Sequence, residues 1–299
     1  MTRRFYNRIR TGVAGWSYDD WAGVIYPDPR PRGFDPLEYV SAFVDLIEIN
    51  STFYRPPMPA YAEAWAARVA DRPRFRFTAK LWRRFTHERE EGWTRDEVRA
   101  VTEGLTPLEE AGRLDAVLAQ FPWSYRNDER NREWLEDLRE AFVDFHLVVE
   151  VRHESWNDPS FYEWLADTGV GFVNIDQPLF ARSIVPSARA TSRLGYIRVH
   201  GRNYRDWFRK GAGRDARYDY LYSHEELERW ANRAREVALG EEVETVDVVF
   251  NNHYKAQAVV NALEFRAILG DPHVHAPEPL MDAYPDRLAA LSIPVADAA

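Results

Sequence analysis

Short runs of alternating apolar and polar residues recur along the chain, separated by longer stretches with helical spacing. In Leu46–Asn50, Ile47 and Ile49 share one parity while Glu48 and Asn50 share the other. Successive strand side chains point to opposite faces, so this is the pattern of a strand with one apolar and one polar face. Phe75, Phe77 and Ala79 alternate in the same way with Arg76, Thr78 and Lys80. In the stretch LVVEVRHESW, 147–156, Leu147, Val149 and Val151 alternate with Glu150 and Arg152. Val173 and Ile175 alternate with Asn174 and Asp176, and Ile197 and Val199 with Arg198 and His200. The predicted strands are 10–15, 46–50, 75–80, 114–120, the run opening at 147, 170–176, 196–200 and 245–251.

Helical stretches fall between them at 36–44, about 60–69, near 106–112, about 129–142, 159–167, 223–238 and 257–269. Ser223-His-Glu-Glu has the form of a capping box at the start of its helix. Strict alternation of strand and helix predicts parallel βαβ units. Eight such units predict an α/β fold, a TIM-type (β/α)8 barrel in a single domain spanning 1–299, with its core at about 10–269. The tail, 270–299, is Pro-rich and carries no predicted element. A doubly wound open sheet is the second choice. No GxGxxG follows the first strand, and the polar strand ends are spread around the fold instead of grouped at one switch point.

In a barrel the apolar parity is expected to face the helices and the polar parity the lumen. The lumen ends would then carry Glu48, Asn50, Lys80, Gln120, Glu150, Arg152, Asn174, Asp176, Arg198, His200 and Asn251. A buried unpaired charge costs several kcal/mol in practice, so stability alone does not account for such a ring. Its expected place is the carboxyl-terminal mouth, where barrel active sites lie. One or two members are expected to form structural ion pairs, such as Glu150 with Arg152 or Arg198.

Charge and composition narrow the chemistry. The net charge is -9 and there is no cysteine, which removes a global basic footprint, disulfides and thiolate chemistry. The first ten residues, MTRRFYNRIR, lack a long apolar run after their basic residues, and no window approaches a membrane span. The expectation is a soluble, cytoplasmic protein without membrane partners. Within the ring, Glu48, Glu150 and Asp176 oppose Lys80, Arg152 and Arg198. Such near-balance favours a small polar or anionic ligand over a dedicated metal site, and no cofactor is expected. The 201–217 loop reverses the overall sign with Arg202, Arg205, Arg209, Lys210, Arg214 and Arg217 interleaved with Tyr204, Trp207 and Phe208. It is a candidate phosphate-binding loop, and the only stretch through which nucleic acid could bind.

Candidate catalytic residues are therefore Glu48, Glu150, Asp176 and His200, with a carboxylate and a histidine exchanging protons with the ligand. Candidate binding residues are Trp16, Tyr18, Asn50, Tyr54, Lys80, His87, Arg152, His153, Arg198, Arg202 and Asn251. His153 falls on the apolar parity or just beyond its strand, which gives it a supporting role. Hydrolase, lyase and isomerase chemistries on a sugar-like or phosphorylated ligand all suit this set. The alternatives are a metal-dependent phosphoesterase or nuclease, in which Glu48, Glu150, Asp176 and a histidine converge on an ion, and a non-catalytic protein binding an anion or nucleic acid.

The segments AGWSYDDW, EINSTFYRPP, FTAK followed by FTH, AQFP, VEVRHESW, Asp176-Gln-Pro, RVHGRNY, YDYLYSHEEL and FNNHYKAQAVVNA occur in this order from about 13 to 269. Together they resemble the barrel family known as domain of unknown function 72, or the YecE-like proteins, with AGW in place of the more usual SGW. The resemblance implies a TIM-type barrel. It implies no reaction and supplies no catalytic residues.

Overall fold

A computed structural model describes residues 5–207, 209 and 214–291, with the backbone alone for 214, 215 and 290. The strands are β1 (Ile9–Ala14), β2 (Leu46–Ile49), β3 (Arg76–Lys80), β4 (Leu114–Gln120), β5 (Leu147–Glu150), β6 (Gly171–Asp176), β7 (Leu194–Val199) and β8 (Thr245–Phe250). Each pairs parallel with the next, and β8 pairs with β1 to close an eight-stranded barrel. The helices are α1 (Pro36–Val40), α2 (Pro59–Arg68), α3 (Arg95–Glu110), α4 (Glu129–Ala141), α5 (Pro159–Thr168), α6 (Arg214–Arg217), α7 (His224–Ala238), α8 (Gln257–Ile268), α9 (Glu278–Ala283) and α10 (Pro285–Leu288). Among the described residues no helix is long and apolar enough to cross a membrane.

The helices differ from expectation at the start of α3, in the tail and at α6, which lies in the predicted 201–217 loop. Helix α3 begins at Arg95, well before the expected 106. Its start is a capping box in which Thr94 Oγ1 accepts from Glu97 N and the Glu97 carboxylate accepts from Thr94 N at 2.7 Å. That signal is visible as Thr94-Arg-Asp-Glu97, and the aromatic-rich stretch before it hides it. In the tail, α9 and α10 bury Leu280 and Leu288, and Arg287 pairs with Glu264 at 2.6 Å. The predicted capping box at Ser223 is present, with Ser223 N donating to Glu226 at 2.9 Å.

Strand register decides which side chains meet inside. In-register neighbours on parallel strands project to the same face. Ala14 pairs with Glu48, Glu48 with Thr78, Gln120 with Glu150, and Tyr196 with Asp247. The lumen therefore holds Glu48, Thr78, Lys80, Gln120, Glu150, Tyr196 and Arg198. On β6, however, Ile175 pairs with Arg198 and Asp176 with Val199. Val173 and Ile175 fill the lumen there, and Asn174 and Asp176 point outward to the helices. The expectation that the polar parity faces the lumen fails on this strand. Both faces of a barrel strand are buried, so an alternating pattern does not say which face is inside. The outward polar groups have their own partners. Asn174 exchanges bonds with Ser187 and Arg189 at 2.7–2.8 Å, and Asp176 is bound by Arg202 and Tyr222.

The opposite mouth is closed by charge. A β-bulge between Phe77 and Thr78 leaves Asp115 as the extra residue on β4. Asp115 pairs with Arg10 and, at 3.4 Å, with Arg76, while Arg10 also holds Asp247 at 2.9 Å.

Candidate active site

Near the carboxyl-terminal mouth, Arg198 crosses the lumen with 1% of its surface exposed. Its Nε and Nη2 donate to the two oxygens of Glu48 at 2.8 and 2.6 Å. Its Nη1 donates to Glu150 Oε2 and reaches Gln120 Oε1 at 3.4 Å. From the other side, Arg152 Nε and Nη2 donate to Glu150 Oε1 at 3.0 and 2.7 Å. The Tyr196 hydroxyl donates to Glu48 Oε2 at 3.2 Å. Both carboxylates are fully buried and fully answered by guanidinium, which is the condition under which buried charges persist. Burial pulls the Glu150 carboxyl upward, yet Arg198, the His200 side chain and Arg152 outweigh it and hold it well below the usual carboxylate range.

His200 lies against this network. Its Nε2 is 3.2 Å from Glu150 Oε1 and 3.3 Å from Arg152 Nη2, and its Nδ1 is 3.0 Å from Asn251 Nδ2. Burial, offset only in part by Glu150, brings the ring down to about 3. The imidazole is therefore neutral at physiological pH, as two adjacent guanidiniums require.

Above the network opens a cavity of about 740 Å³, within the range of small-molecule sites. Lys80, Arg152, Arg198 and Arg217 line it, with polar contributions from Asn50, Gln120, Gln177 and Asn251. No Asp or Glu is among the described residues that line it. Its walls include Trp16, Phe53, Trp123 and Trp207. The Arg152 guanidinium lies 5.7 Å from the Trp207 ring centre, and Lys80 Nζ lies 4.0 Å from that of Phe53. The Lys80 carbonyl accepts from the Thr52 hydroxyl at 2.6 Å, but its Nζ forms no hydrogen bond or ion pair among the described residues. Burial, followed by the repulsion of Arg198, brings its amine down to about 7. His87 packs edge-on to the same Phe53 ring at 5.0 Å, and burial together with Lys80 lowers its ring below the usual histidine range.

The predicted residues thus divide into three groups. Trp16, Tyr18, Asn50, Tyr54, Lys80, His87, Arg152, Arg198 and Asn251 line the cavity. Glu48, Glu150 and His200 lie beneath it and outside its lining, where they hold Arg198 and Arg152 in place. Asp176, Arg202 and His153 belong elsewhere. Asp176 accepts from Arg202 Nε at 2.9 Å and from the Tyr222 hydroxyl at 2.5 Å, and Arg202 also pairs with Glu226. His153 caps the turn after β5 by accepting from Ser155 N. Tyr18 stacks on His253 at 4.3 Å and donates to Ala14 O, and Gly15 takes a left-handed conformation that leaves room for its hydroxyl.

In the 201–217 loop, Arg205 and Arg209 both pair with Asp206, and Arg217 turns to the cavity. Phe208, Lys210 and the Arg214 side chain lie outside the described residues. Trp123, Gln177 and Tyr218 line the cavity without having been singled out from the sequence. Trp123 and Gln177 stand just past the ends of β4 and β6, a position that marks mouth residues in a barrel.

The convergence of donors that a metal-dependent phosphoesterase needs is not formed. The Arg198 guanidinium occupies the space between Glu48 and Glu150, and Asp176 points away. Among the described residues no three acidic or histidine side chains gather into a group that could hold an ion.

Comparison with known proteins places this geometry in a family. The model of the family described as Protein of unknown function DUF72 matches residues 10–283. The UPF0759 protein YunF of Bacillus subtilis (strain 168) is 28% identical over 274 residues, 87% of this chain and 94% of YunF. The crystal structure of a DUF72 family protein from Thermotoga maritima MSB8 superposes with a TM-score of 0.74 at 33% identity, covering 88% of this chain and 100% of that one. A DUF72 family protein from Enterococcus faecalis V583 also gives 0.74 at 23% identity, covering 88% and 95%, and so shares the fold.

Proposed function

The chain belongs to the family described as Protein of unknown function DUF72, and we propose that its barrel mouth is the active site of an enzyme acting on a small anionic, polar ligand, sugar-like or phosphorylated. One observation carries this reading. The cavity is lined by Lys80, Arg152, Arg198 and Arg217 and by no described carboxylate, because Glu48 and Glu150 are turned beneath it. Guanidiniums held rigid by buried carboxylates are preorganised donors, and they cost little reorganisation when negative charge arrives.

The same placement reassigns the acid–base work. Glu150 is saturated by two arginines and His200 is neutral, so both act through the arginines they position. Among the described lining residues the amine and imidazoles are Lys80, His87 and His253, and His253 is stacked on Tyr18. Asn50, Gln120 and Asn251 offer amides for ligand hydroxyls, and the tryptophan walls suit the faces of a small ring.

The test is thermal stabilisation by inorganic phosphate and glucose 6-phosphate, compared with glucose, for the full chain and for Arg152→Gln. Both anions should stabilise the protein at millimolar concentration and glucose should do so less. The variant should bind the anions roughly 10- to 100-fold more weakly, the worth of one charge-assisted hydrogen bond. Equal stabilisation of the variant, or none by either anion, would refute the reading.

A further inference from the structure

Lysine occurs three times in the chain, at 80, 210 and 255, and the other 36 of its 39 basic residues are arginine. Where a fixed positive charge serves, guanidinium is used: Arg10 in the floor, Arg198 and Arg152 in the mouth. The amine at 80 therefore stands out among the cavity cations. An amine can do one thing that guanidinium cannot, which is to lose its proton near neutrality and offer a lone pair.

The placement of Lys80 fits that use. It ends β3 on the lumen parity and lines the cavity. Its Nζ is free of hydrogen bonds and ion pairs among the described residues, and it rests on the Phe53 ring. The charged groups facing it are Arg198, Glu48, Glu150 and Arg152, with His87 across the shared ring. The carboxylates in that set are already held by the guanidiniums.

We propose that Lys80 is a nucleophile that forms an imine with a small anionic aldehyde or ketone, whose negative group is held by Arg152 and Arg198. The proposal rests on the anion site above. In the step, the unprotonated Nζ attacks the carbonyl carbon and the carbonyl π electrons move to oxygen. The proton lost from Nζ and the one taken up by that oxygen balance, giving a carbinolamine. The oxygen then takes a second proton from solvent and leaves as water while the nitrogen lone pair closes the C=N bond. The resulting iminium draws electrons from the neighbouring carbon, which suits lyase or isomerase chemistry. The lowered amine described above gives Lys80 an unprotonated population near neutral pH that an ordinary lysine lacks.

The experiment uses pyridoxal 5′-phosphate as probe, with pyridoxal as the control lacking phosphate, followed by borohydride reduction and peptide mapping of the full chain. Borohydride delivers hydride to the imine carbon and fixes the adduct as a secondary amine. Label should appear at Lys80 on the order of tenfold or more faster than at Lys255, which is exposed. The labelling rate should rise as pH increases through about 7, where burial and Arg198 bring the Lys80 amine, and then level off. Lys80→Arg and Lys80→Met should lose this label while melting as the parent does. Labelling spread evenly over the lysines, or a rate at Lys80 flat between pH 6 and 8, would overturn the proposal. Stabilisation by inorganic phosphate without label at Lys80 would overturn it and leave the anion site standing. Rapid labelling of Lys80 by pyridoxal and pyridoxal 5′-phosphate alike would support the nucleophile and count against the anion site.

Discussion

Replacing Arg198 by methionine tests whether the mouth is held together by buried charge. Arg198 supplies both strong bonds to Glu48 and one to Glu150. Without it, Glu150 keeps Arg152 at 2.7 and 3.0 Å, whereas Glu48 keeps only the Tyr196 hydroxyl at 3.2 Å. The loss therefore concentrates on one fully buried carboxylate. Removing one partner of a buried pair costs about 3–5 kcal/mol, well above the roughly 0–1 kcal/mol of a surface pair. Urea denaturation at neutral pH measures it, and a double variant Glu48→Gln/Arg198→Met should recover more than about 1 kcal/mol, since it removes the stranded charge. The pH dependence has a definite sign. Glu150 is depressed in the fold, so its contribution is complete above the unfolded carboxyl value and fades only as pH falls through its low folded value. Part of that contribution comes from Arg198, so the gap between parent and variant should be full near neutrality and narrow in acid. A loss below about 1 kcal/mol, or no recovery in the double variant, would refute the account of a charge-locked mouth.

Two further outcomes follow from the barrel floor and wall. Asp115 is pushed up to about 8 by burial and by Asp247, with Arg10 and Arg76 pulling the other way. A raised carboxyl makes the fold less stable as pH climbs from about 4, the unfolded value, to about 8. Asp115→Asn should thus gain stability relative to the parent across that window and hold the gain above it, and a variant less stable than the parent at pH 9 would contradict this. A Cβ at Gly12 would lie 1.7 Å from the Leu46 carbonyl oxygen and 2.7 Å from Leu46 Cβ. Gly12→Ala must push β1 from β2, so denaturation should show a loss of about 1–3 kcal/mol or more, and a neutral effect would contradict the register.

Much of the fold was legible because parallel barrel strands announce themselves by position, alternating with helices at regular intervals. Strand limits shifted by a residue or two, and the lumen residues of β2, β3, β5 and β7 followed from parity. On β6 parity misled, since Val173 and Ile175 serve inside as well as they would outside, and only pairing with β7 reveals the choice. The site was half legible. Residue type marked Glu48, Glu150 and Arg198 as a group, but depth does not show in a sequence. Alternation cannot tell a carboxylate that meets ligand from one lying beneath an arginine that does. Asp176 and Arg202 looked like mouth residues for the same reason, and Tyr222, some 46 residues further on, is the partner that draws Asp176 outward.

The span of the Arg198 network along the chain bears on how the barrel is built. Glu48 and Glu150 come from β2 and β5, and the cation that joins them arrives only with β7. A nascent chain that has reached the end of β5 carries Glu48 without the guanidinium that bonds it, so a half-barrel would have to expose or protonate it. Contacts this distant in sequence close late and slowly. Neutralisation therefore waits for β7, one strand before β8 closes the ring on β1, and chains that stop short of β7 are denied a working mouth.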